Sequence, residues 1–471
     1  MLINDLVARR RLAGVVAALM LFFGILFVYV TPPYQGPDEF DHFRRVTLIA
    51  EGTLLPHAED GVVGVRLPLS LIEFEQRHEY LKREPEKKYS YQQLLDEMAE
   101  RARTRATTFT SFSTQAASPL LYVPALVGLG AGRLAGAVSF ADGYEAQNWL
   151  ARLHFARLGN LVVFTLAIAV ALVAIPRFHA ALCFVALLPM SIHLAAIVHY
   201  DTVSLIALLG VFVVVVRKVT RPLPLSRLEL GVLLASAFMI GHGKVIYLPL
   251  LLVVLTAAWA LPRRAAVDFV GLAAIAALLG IASSLLFAPL SNLPPGNLER
   301  QAAYLLANPG AIPALIADTF ARFHGDYFRG ILGLFGWLDT PLPASLHLLL
   351  WAVFLSTILT DARVNVGGIG LRNRLALLLG VAVSIFGVLI SIYLIWTANY
   401  ARGVGAATVI GVQGRYFIPY LPFLAAALSL PIRRFGVTLG QRLPNLLPVQ
   451  LALQAAVLAA SLLFLLLRYW V

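Results

Sequence analysis

The chain has 471 residues, of which 59% are hydrophobic and only 13% are charged, with a formal net charge of +12. Soluble domains usually contain about 45–50% apolar and about 25% charged residues, so this composition excludes soluble globular, fibrous, disordered and disulfide-scaffold proteins and predicts a polytopic membrane protein. The basic residues form short clusters between apolar runs, as the positive-inside rule describes, so we expect no nucleic-acid partner.

Apolar runs of about 20 residues predict membrane-spanning helices. The first run, residues 12–30, follows Arg9, Arg10 and Arg11, which hold the N-terminus in the cytoplasm and deliver residue 31 to the outer face. Placing the later basic clusters in the cytoplasm predicts ten further spans, near residues 160–176, 180–199, 202–216, 228–243, 245–261, 266–289, 344–361, 374–397, 415–431 and 448–468. The predicted fold is all-α and polytopic, with about 11–13 transmembrane helices in a single membrane domain, residues 1–471.

Two segments are predicted to lie outside, on the periplasmic side. The first, residues 31–158, contains an apolar stretch at 119–136 with two prolines and several glycines, which favours a re-entrant or interfacial helix pair. The alternative is two true spans over this stretch, which would return the chain to the same side of the membrane and leave the rest of the predicted topology unchanged. Residues 72–105 are dense in charge and predict a solvated helical loop. The second outer segment covers residues 289–342.

Five groups of polar residues are predicted at the outer face, where charge beside a span is costly and marks function. The first directly follows the opening span. In a helix that starts at Pro37, the side chains of Asp38, Asp41 and His42 share one face. They could bind a divalent cation such as Mg²⁺ or Mn²⁺, or Asp38 or Glu39 could act as a general base. The alternative is helix capping by Asp38 and Glu39.

The second and third groups lie between predicted spans. In His199-Tyr200-Asp201, the carboxylate either meets a cation or substrate, or caps the following helix. In the glycine-flanked break that contains His242 and Lys244, the lysine either binds phosphate or extends outward to the interface. Both interpretations stay open for each group.

The fourth and fifth groups lie late in the chain. Trp337 belongs to an aromatic residue type that anchors membrane interfaces, and Asp339 precedes a proline turn that it could terminate. The fifth group contains Gln413, Arg415 and Tyr416. Arginine grips phosphate with two parallel hydrogen bonds, while the alternative for Arg415 is interfacial snorkelling.

Acids and cations on one membrane face suit group transfer from a phosphate-activated lipid. A carboxylate would deprotonate the acceptor hydroxyl, and cationic side chains would stabilise the leaving phosphate. The lipid tail would lie between helices while the headgroup reaches the outer surface. The sequence contains no P-loop and no G-x-S-x-G elbow, which disfavours ATP-driven transport and serine hydrolysis.

These motifs, in this order, resemble those of the GT-C-type glycosyltransferases that use lipid-phosphosugar donors, a superfamily that includes protein O-mannosyltransferases and aminoarabinose transferases. They are most similar to those of an uncharacterised bacterial integral-membrane family assigned to that superfamily. The resemblance runs from the first span to about residue 422. It rests on Pro37-Asp38-Glu39 with His42, Ser118-Pro119-Leu120-Leu121-Tyr122, Arg157-Leu158-Gly159-Asn160, Tyr200-Asp201, Gly336-Trp337-Leu338-Asp339 and Gln413-Gly414-Arg415-Tyr416.

The resemblance implies a GT-C-like fold in the bacterial inner membrane and an inverting transfer of one sugar from a polyprenyl phosphate. The acceptor would be periplasmic or lipid-linked. The family's first acidic position, a base or metal ligand, corresponds to Asp38 or Glu39, and its second corresponds to Asp201. Donor phosphate contacts are then expected from Lys244, Gln413, Arg415 and Tyr416.

Two other functions remain open from the residues. A flippase or transporter of a lipid-linked saccharide would use the same cations as a headgroup path, but it should also place charge at mid-membrane, where these spans are almost uniformly apolar. A scaffold subunit of an envelope complex would tolerate Arg415→Lys.

Overall fold

A computed structural model of the chain describes residues 6–102, 104–138, 147–221, 223–258, 261–287, 297–364, 369–429, 433–434, 437–438 and 445–471. Several predicted features therefore fall partly outside the described residues. They are residues 139–146 and 289–296 of the two outer segments, and parts of the basic clusters at 363–374 and 433–442.

Helices dominate the described chain. In order they are α1 (Leu6–Val30), α2 (Glu39–Ala50), α3 (Leu69–Gln76), α4 (Tyr91–Ala99), α5 (Val123–Leu134), α6 (Trp149–Ala174), α7 (His179–Ala186), α8 (Pro189–Ala195), α9 (Asp201–Thr220), α10 (Arg227–His242), α11 (Val254–Ala258), α12 (Arg263–Leu285), α13 (Asn297–Ala307), α14 (Ala311–Leu332), α15 (Ala344–Val364), α16 (Leu371–Ile392), α17 (Leu421–Leu428) and α18 (Leu447–Tyr469).

Seven of the described helices are long and apolar enough to cross a membrane, which confirms the all-α polytopic membrane fold. They are α1, α6, α9, α12, α15, α16 with the π-helical turns that extend it, and α18. Each overlaps a span predicted from the apolar runs, although α6 begins eleven residues before the predicted start at residue 160, inside the predicted outer segment 31–158.

The other four predicted spans are shorter or interrupted helices. Residues 228–243 form α10, which has 16 residues. The remaining three contain prolines, which lack a backbone N–H and end or distort a helix. Pro189 opens α8 after a break from α7, while Pro249 and Pro419 lie in 3₁₀ helices that precede α11 and α17. Every residue of α7 and α8 is buried, which fits the rule that irregular backbone at membrane depth is tolerated only inside protein.

Helix α7 lies at the centre of the bundle, in contact with α1, α6, α15, α17 and α18. Its first turn has no side-chain cap of its own. Instead, the backbone N–H groups of Ala180 and Ala181 donate to the two carboxylate oxygens of Asp361 on α15, at 3.2 and 2.9 Å. A buried carboxylate from a neighbouring helix thus satisfies the N-terminus of α7.

The first outer segment contains a small antiparallel sheet that the sequence analysis did not predict. Strand β1 (His57–Glu59) pairs with β2 (Val62–Pro68), and β2 pairs with β3 (Thr107–Thr110). The predicted helical loop is present beside it as α3 and α4. Two-residue strands also form the pairs β4 (Leu334–Phe335) with β5 (Thr340–Pro341), and β6 (Arg433–Arg434) with β7 (Val437–Thr438).

The apolar stretch at 119–136 forms one short helix rather than a pair, because a 3₁₀ turn over Pro119–Tyr122 leads directly into α5. Helix α5 packs closely on α6 where Gly128 meets Gly159. A Cβ atom on Gly159 would collide with the carbonyl oxygen of Pro124 and the backbone of Gly128. Glycine pairs allow this backbone contact, which holds α5 against α6.

One end of the bundle carries the end of α1, the starts of α6 and α9, and the end of α18; we call it the site end. The indole Nε1–H of Trp470, directly after α18, donates to the carbonyl oxygen of Val30 at 2.7 Å. Residues 31–138 lie at this end, and all five polar groups from the sequence analysis do as well.

Candidate functional site

Asp38 lies at the start of α2 in a left-handed backbone conformation, with φ of 60° and ψ of 10°. This conformation is uncommon for a residue with a side chain and often marks a functional position. The Asp38 side chain does not cap α2, so the alternative role considered from the sequence is not found. Its carboxylate is 49% exposed and lies 3.1 Å from Nη2 of Arg415.

Arg415 is buried, with 4% of its surface exposed, and lies in the 3₁₀ helix Gly414–Tyr420. Its Nε lies 3.5 Å from Oδ2 of Asp201, the first residue of α9. Lys244, directly after α10 and its C-cap residue, forms an ion pair with the same Asp201. Neither cation extends outward to the membrane interface, because Arg415 is buried and Lys244 is only 9% exposed. The structure therefore brings Asp38, Asp201, Lys244 and Arg415 together from four distant stretches of sequence.

Aromatic rings line this charge cluster. The Lys244 Nζ lies 4.5 Å from the ring centre of Tyr416 and 5.3 Å from that of Tyr200, within the range of cation–π attraction. Four buried polar atoms at the cluster make no hydrogen bond within the described part of the chain: Nε and Nη1 of Arg415, Oδ1 of Asp201 and Oε1 of Gln413. Nε and Oδ1 take part in ion pairs, whereas Nη1 does not. Unsatisfied buried donors such as Nη1 are costly, so this nitrogen is available to an anionic ligand.

The rings of the two histidines predicted beside the carboxylates lie in contact, tilted at 55° to each other. The ring centres of His42 and His199 are 4.0 Å apart, and Nδ1 of His42 lies 2.8 Å from the hydroxyl of Tyr122. Burial lowers the pKa of His42 to about 4, so its imidazole is neutral near pH 7. The Nδ1 atom of His199 accepts the backbone N–H of Asp201 at 2.9 Å, which orients the start of α9.

Asp38, Asp41 and His42 do not converge on one point. The Asp41 carboxylate accepts a hydrogen bond from the Ser113 hydroxyl at 2.6 Å and lies 3.3 Å from Arg44. Burial raises the pKa of Asp41. Across the residues that the structure describes, no group of three or more His, Cys, Asp or Glu side chains is arranged to hold a metal ion.

Glu39 is fully buried and bound on both carboxylate oxygens. They accept from Nε and Nη2 of Arg157 at 2.7 and 2.6 Å, and Oε1 also accepts the backbone N–H of Val198 at 2.9 Å. The guanidinium of Arg157 donates further to three backbone carbonyls around the end of α1. Glu39 therefore fastens α2 to α6 and fixes the backbone next to Asp38, instead of facing a substrate.

The remaining predicted residues lie around the charge cluster. Asp339 accepts the backbone N–H of Trp337 at 3.1 Å and pairs with Arg468 on α18 at 3.0 Å. His242 points away from the cluster, toward α12, where its Nδ1 lies 2.6 Å from the hydroxyl of Ser283. Asp339 and Trp337 thus shape the rim of the site, and His242 supports the contact between α10 and α12.

Sequence reasoning missed several residues that shape the site. Arg157 belongs to a motif that carried the resemblance, but it received no role; a charge inside an apolar run was the available signal. Tyr122, which contacts His42, was likewise quoted without a role. Lys82 and Phe40, which lie beside Trp337, have no distinguishing signal, because Lys82 sits in a charged loop and Phe40 is one of 27 phenylalanines.

An apolar groove of about 420 Å³ runs along the bundle between α6, α9 and α10 and is partly open at the side. It starts at Val203, two residues after Asp201, and ends at Arg217 and Glu229, which form an ion pair at 2.7 Å. These positions on α9 are about 21 Å apart at 1.5 Å per residue. The groove therefore runs along most of the apolar depth of the bundle, and one end of it lies in the first turn of α9, the helix that begins with Asp201.

Comparison with curated proteins and with solved structures finds no match. A family model described as predicted membrane protein, DUF2142, matches residues 21–424, a range that includes the end of α1, the whole charge cluster and the groove. The chain therefore belongs to the DUF2142 family of predicted membrane proteins.

Proposed function

We propose that this chain is a GT-C-type glycosyltransferase of the bacterial inner membrane. It would transfer a sugar from a polyprenyl phosphate to an acceptor hydroxyl at the periplasmic face. The observation that carries the proposal is the pairing of a half-exposed carboxylate, Asp38, with a buried cation, Arg415, at 3.1 Å. A second cation, Lys244, is held in the same cluster through Asp201.

In the proposed reaction, the acceptor oxygen attacks the anomeric carbon of the donor sugar. The bond from this carbon to the phosphate oxygen breaks on the opposite face, so the configuration inverts. The acceptor proton passes to the Asp38 carboxylate, and polyprenyl phosphate leaves as the anion. General base catalysis typically contributes about 10²–10⁴ to the rate.

Arg415 and Lys244 would bind the donor phosphate and stabilise the charge that develops on it. Both are buried, where electrostatic interactions are stronger than in water. The free Nη1 of Arg415 supplies a donor that the resting cluster does not use. Phosphate binding to Arg415 would also release Asp38 from its ion pair and leave this carboxylate free to accept the proton.

The groove between α6, α9 and α10 would hold part of the polyprenyl tail. Its lining is almost entirely apolar, and it begins beside Asp201. A tail in this groove would place its phosphate at the charge cluster. A soluble phosphosugar would have no need of such a groove.

The test uses the protein in nanodiscs with a panel of polyprenyl phosphates that carry different sugars. Release of polyprenyl phosphate is measured by mass spectrometry. We expect release from at least one donor, a loss of at least 100-fold in Asp38→Asn, and a loss of at least tenfold in Arg415→Lys, because lysine cannot reproduce the two-pronged grip of arginine.

Glu59→Gln is the matched control, because Glu59 and Arg66 form an exposed carboxylate–arginine pair on β1 and β2, away from the cluster. It should retain wild-type release. Full activity in Asp38→Asn would disprove its role as the base. Movement of a lipid-linked saccharide across vesicles without release from any donor would disprove the glycosyltransferase and favour a transporter.

A further inference from the structure

Beside Asp38, two aromatic rings and a lysine form a surface that the proposed chemistry does not use. Phe40 lies two residues after Asp38 on α2, and its ring centre is 5.6 Å from that of Trp337. The ammonium of Lys82 lies 3.6 Å from the ring centre of Trp337 and 5.3 Å from that of Phe40. All three side chains are half-buried. We call Phe40, Lys82 and Trp337 the aromatic platform.

The turn that carries Trp337 is held in a costly conformation. Gly336 and Leu338, on either side, both have positive φ, at 63° and 61°. Glycine adopts this conformation freely, but for Leu338 it is strained and persists only where the surroundings enforce it. Asp339 accepts the backbone N–H of Trp337, and the indole Nε1–H donates to the carbonyl oxygen of Tyr34 at 2.9 Å. An interfacial anchor needs no such fixation, so the turn serves to hold one indole in place.

A small cavity adjoins the aromatic platform. It has a volume of about 30 Å³ and is lined in part by Tyr34, Gln35, Lys82 and Trp337. Two buried polar atoms of this lining, the hydroxyl of Tyr34 and Oε1 of Gln35, make no hydrogen bond to any described residue. Tyr34 and Gln35 are 4% and 1% exposed. A cavity of this size holds one hydroxyl-sized group, and these atoms would hydrogen-bond to it.

The geometry points to the aromatic platform as the acceptor subsite, with a pyranose ring as the group it binds; this inference rests on the proposed function. One face of a pyranose consists of C–H groups and packs on aromatic rings, while its hydroxyls need polar partners. The platform supplies the rings and the Lys82 ammonium, and the cavity supplies Tyr34 and Gln35.

The position of the platform also suits an acceptor. Phe40 follows Asp38 by two residues, so the aromatic platform and Asp38 lie at the same end of α2. A sugar seated on Trp337 would therefore present a hydroxyl toward the proposed base. The donor phosphate would bind at Arg415, which pairs with the same carboxylate.

The experiment measures binding without any donor, by saturation-transfer NMR on the protein in nanodiscs. The probes are the methyl glycosides of glucose, galactose, mannose, rhamnose and N-acetylglucosamine, and, in a second arm, the same sugars attached to polyprenyl diphosphate in the nanodisc. We expect transfer to the ring C–H protons of at least one sugar. Signals in the first arm indicate an acceptor taken from water, and signals in the second arm alone indicate a lipid-linked acceptor.

Trp337→Leu should weaken this binding at least fivefold, and Lys82→Gln, which leaves the indole in place, should weaken it at least twofold. Trp351→Leu is the matched control, because Trp351 packs against Phe328 and Phe354 on α14 and α15. Equal signals in Trp337→Leu and the wild type, or no signals in either arm, would overturn the acceptor subsite. Intact sugar binding with no transfer from any donor would instead overturn the proposed function alone.

Discussion

Two adjacent carboxylates, Asp38 and Glu39, differ sharply in their surroundings. This difference predicts a large loss of stability when Glu39 is replaced by its neutral amide and a small loss when Asp38 is. Asp38 is half-exposed and has one cationic partner. Glu39 is fully buried, and both of its oxygens bind Arg157. In Glu39→Gln the shape is kept but the charge is lost, so the guanidinium of Arg157 stays in the core without a counter-charge.

The size of the expected loss in unfolding free energy depends on the hydrogen bonds that Arg157 keeps in Glu39→Gln. Removing one partner of a buried ion pair costs about 3–5 kcal/mol. Three backbone carbonyls continue to accept from Arg157 at 2.6–3.0 Å, so we expect the lower end, about 3 kcal/mol. For Asp38→Asn we expect less than about 1 kcal/mol, because Asp38 is half-exposed and Arg415 keeps Asp201.

The assay is equilibrium unfolding in mixed micelles, by titration with sodium dodecyl sulfate and detection by circular dichroism. Glu39→Gln should lower the unfolding free energy by about 3 kcal/mol, and Asp38→Asn serves as the matched control at the neighbouring residue. Equal stability of Glu39→Gln and the wild type, or an equal loss in Asp38→Asn, would refute the assignment of Glu39 as a structural clamp.

Two further predictions concern His42 and the contact of α5 with α6. The pKa of His42 is about 4 in the fold against 6.5 ordinarily, so the unfolded chain binds the proton more tightly than the folded one. The contribution of the neutral imidazole to the unfolding free energy is therefore fully present above about pH 6.5. It falls by up to about 3.4 kcal/mol as the pH is lowered toward 4. The stability advantage of the wild type over His42→Asn should therefore shrink between pH 7.5 and pH 5 in the same titration, and a constant advantage would contradict the neutral buried imidazole. Gly159→Ala should lower the thermal midpoint, measured by fluorescence-detected size exclusion, because the new methyl group collides with Gly128, whereas Gly130→Ala, which meets open space, should leave it unchanged or slightly raised. A Gly159→Ala midpoint equal to that of Gly130→Ala would show that α5 is not held at this contact.

The membrane class and the seven long helices could be predicted from the sequence, because apolar length alone decides them. The interruptions at Pro189, Pro249 and Pro419 were less predictable, since proline is tolerated in many membrane helices and only neighbouring helices decide whether a break is satisfied. Strand β2 was missed because it is only seven residues long and contains a glycine and a proline, which weaken a strand pattern.

For the polar groups, the sequence could predict which face they share but not the role of each side chain. The sequence placed Asp38, Asp201, Lys244 and Arg415 on one face, but it could not tell Asp38 from Glu39. Neighbouring residues on a helix point in different directions, and the direction that meets Arg157 depends on how α6 packs. Likewise, the role of Trp337 depends on Lys82, more than 250 residues earlier in the chain.

The enclosed position of α7 and α8 has a consequence for biogenesis. These two short helices are too brief to cross a bilayer alone, and all their residues are hidden from lipid. The helices that hide α7 include α1 and α6, made before it, and α15, α17 and α18, made after it. Residues 179–195 must therefore wait beside the insertion machinery, or partly exposed to lipid, until residues 447–469 have been synthesised. The centre of this protein therefore cannot be fully assembled before α18 has been made.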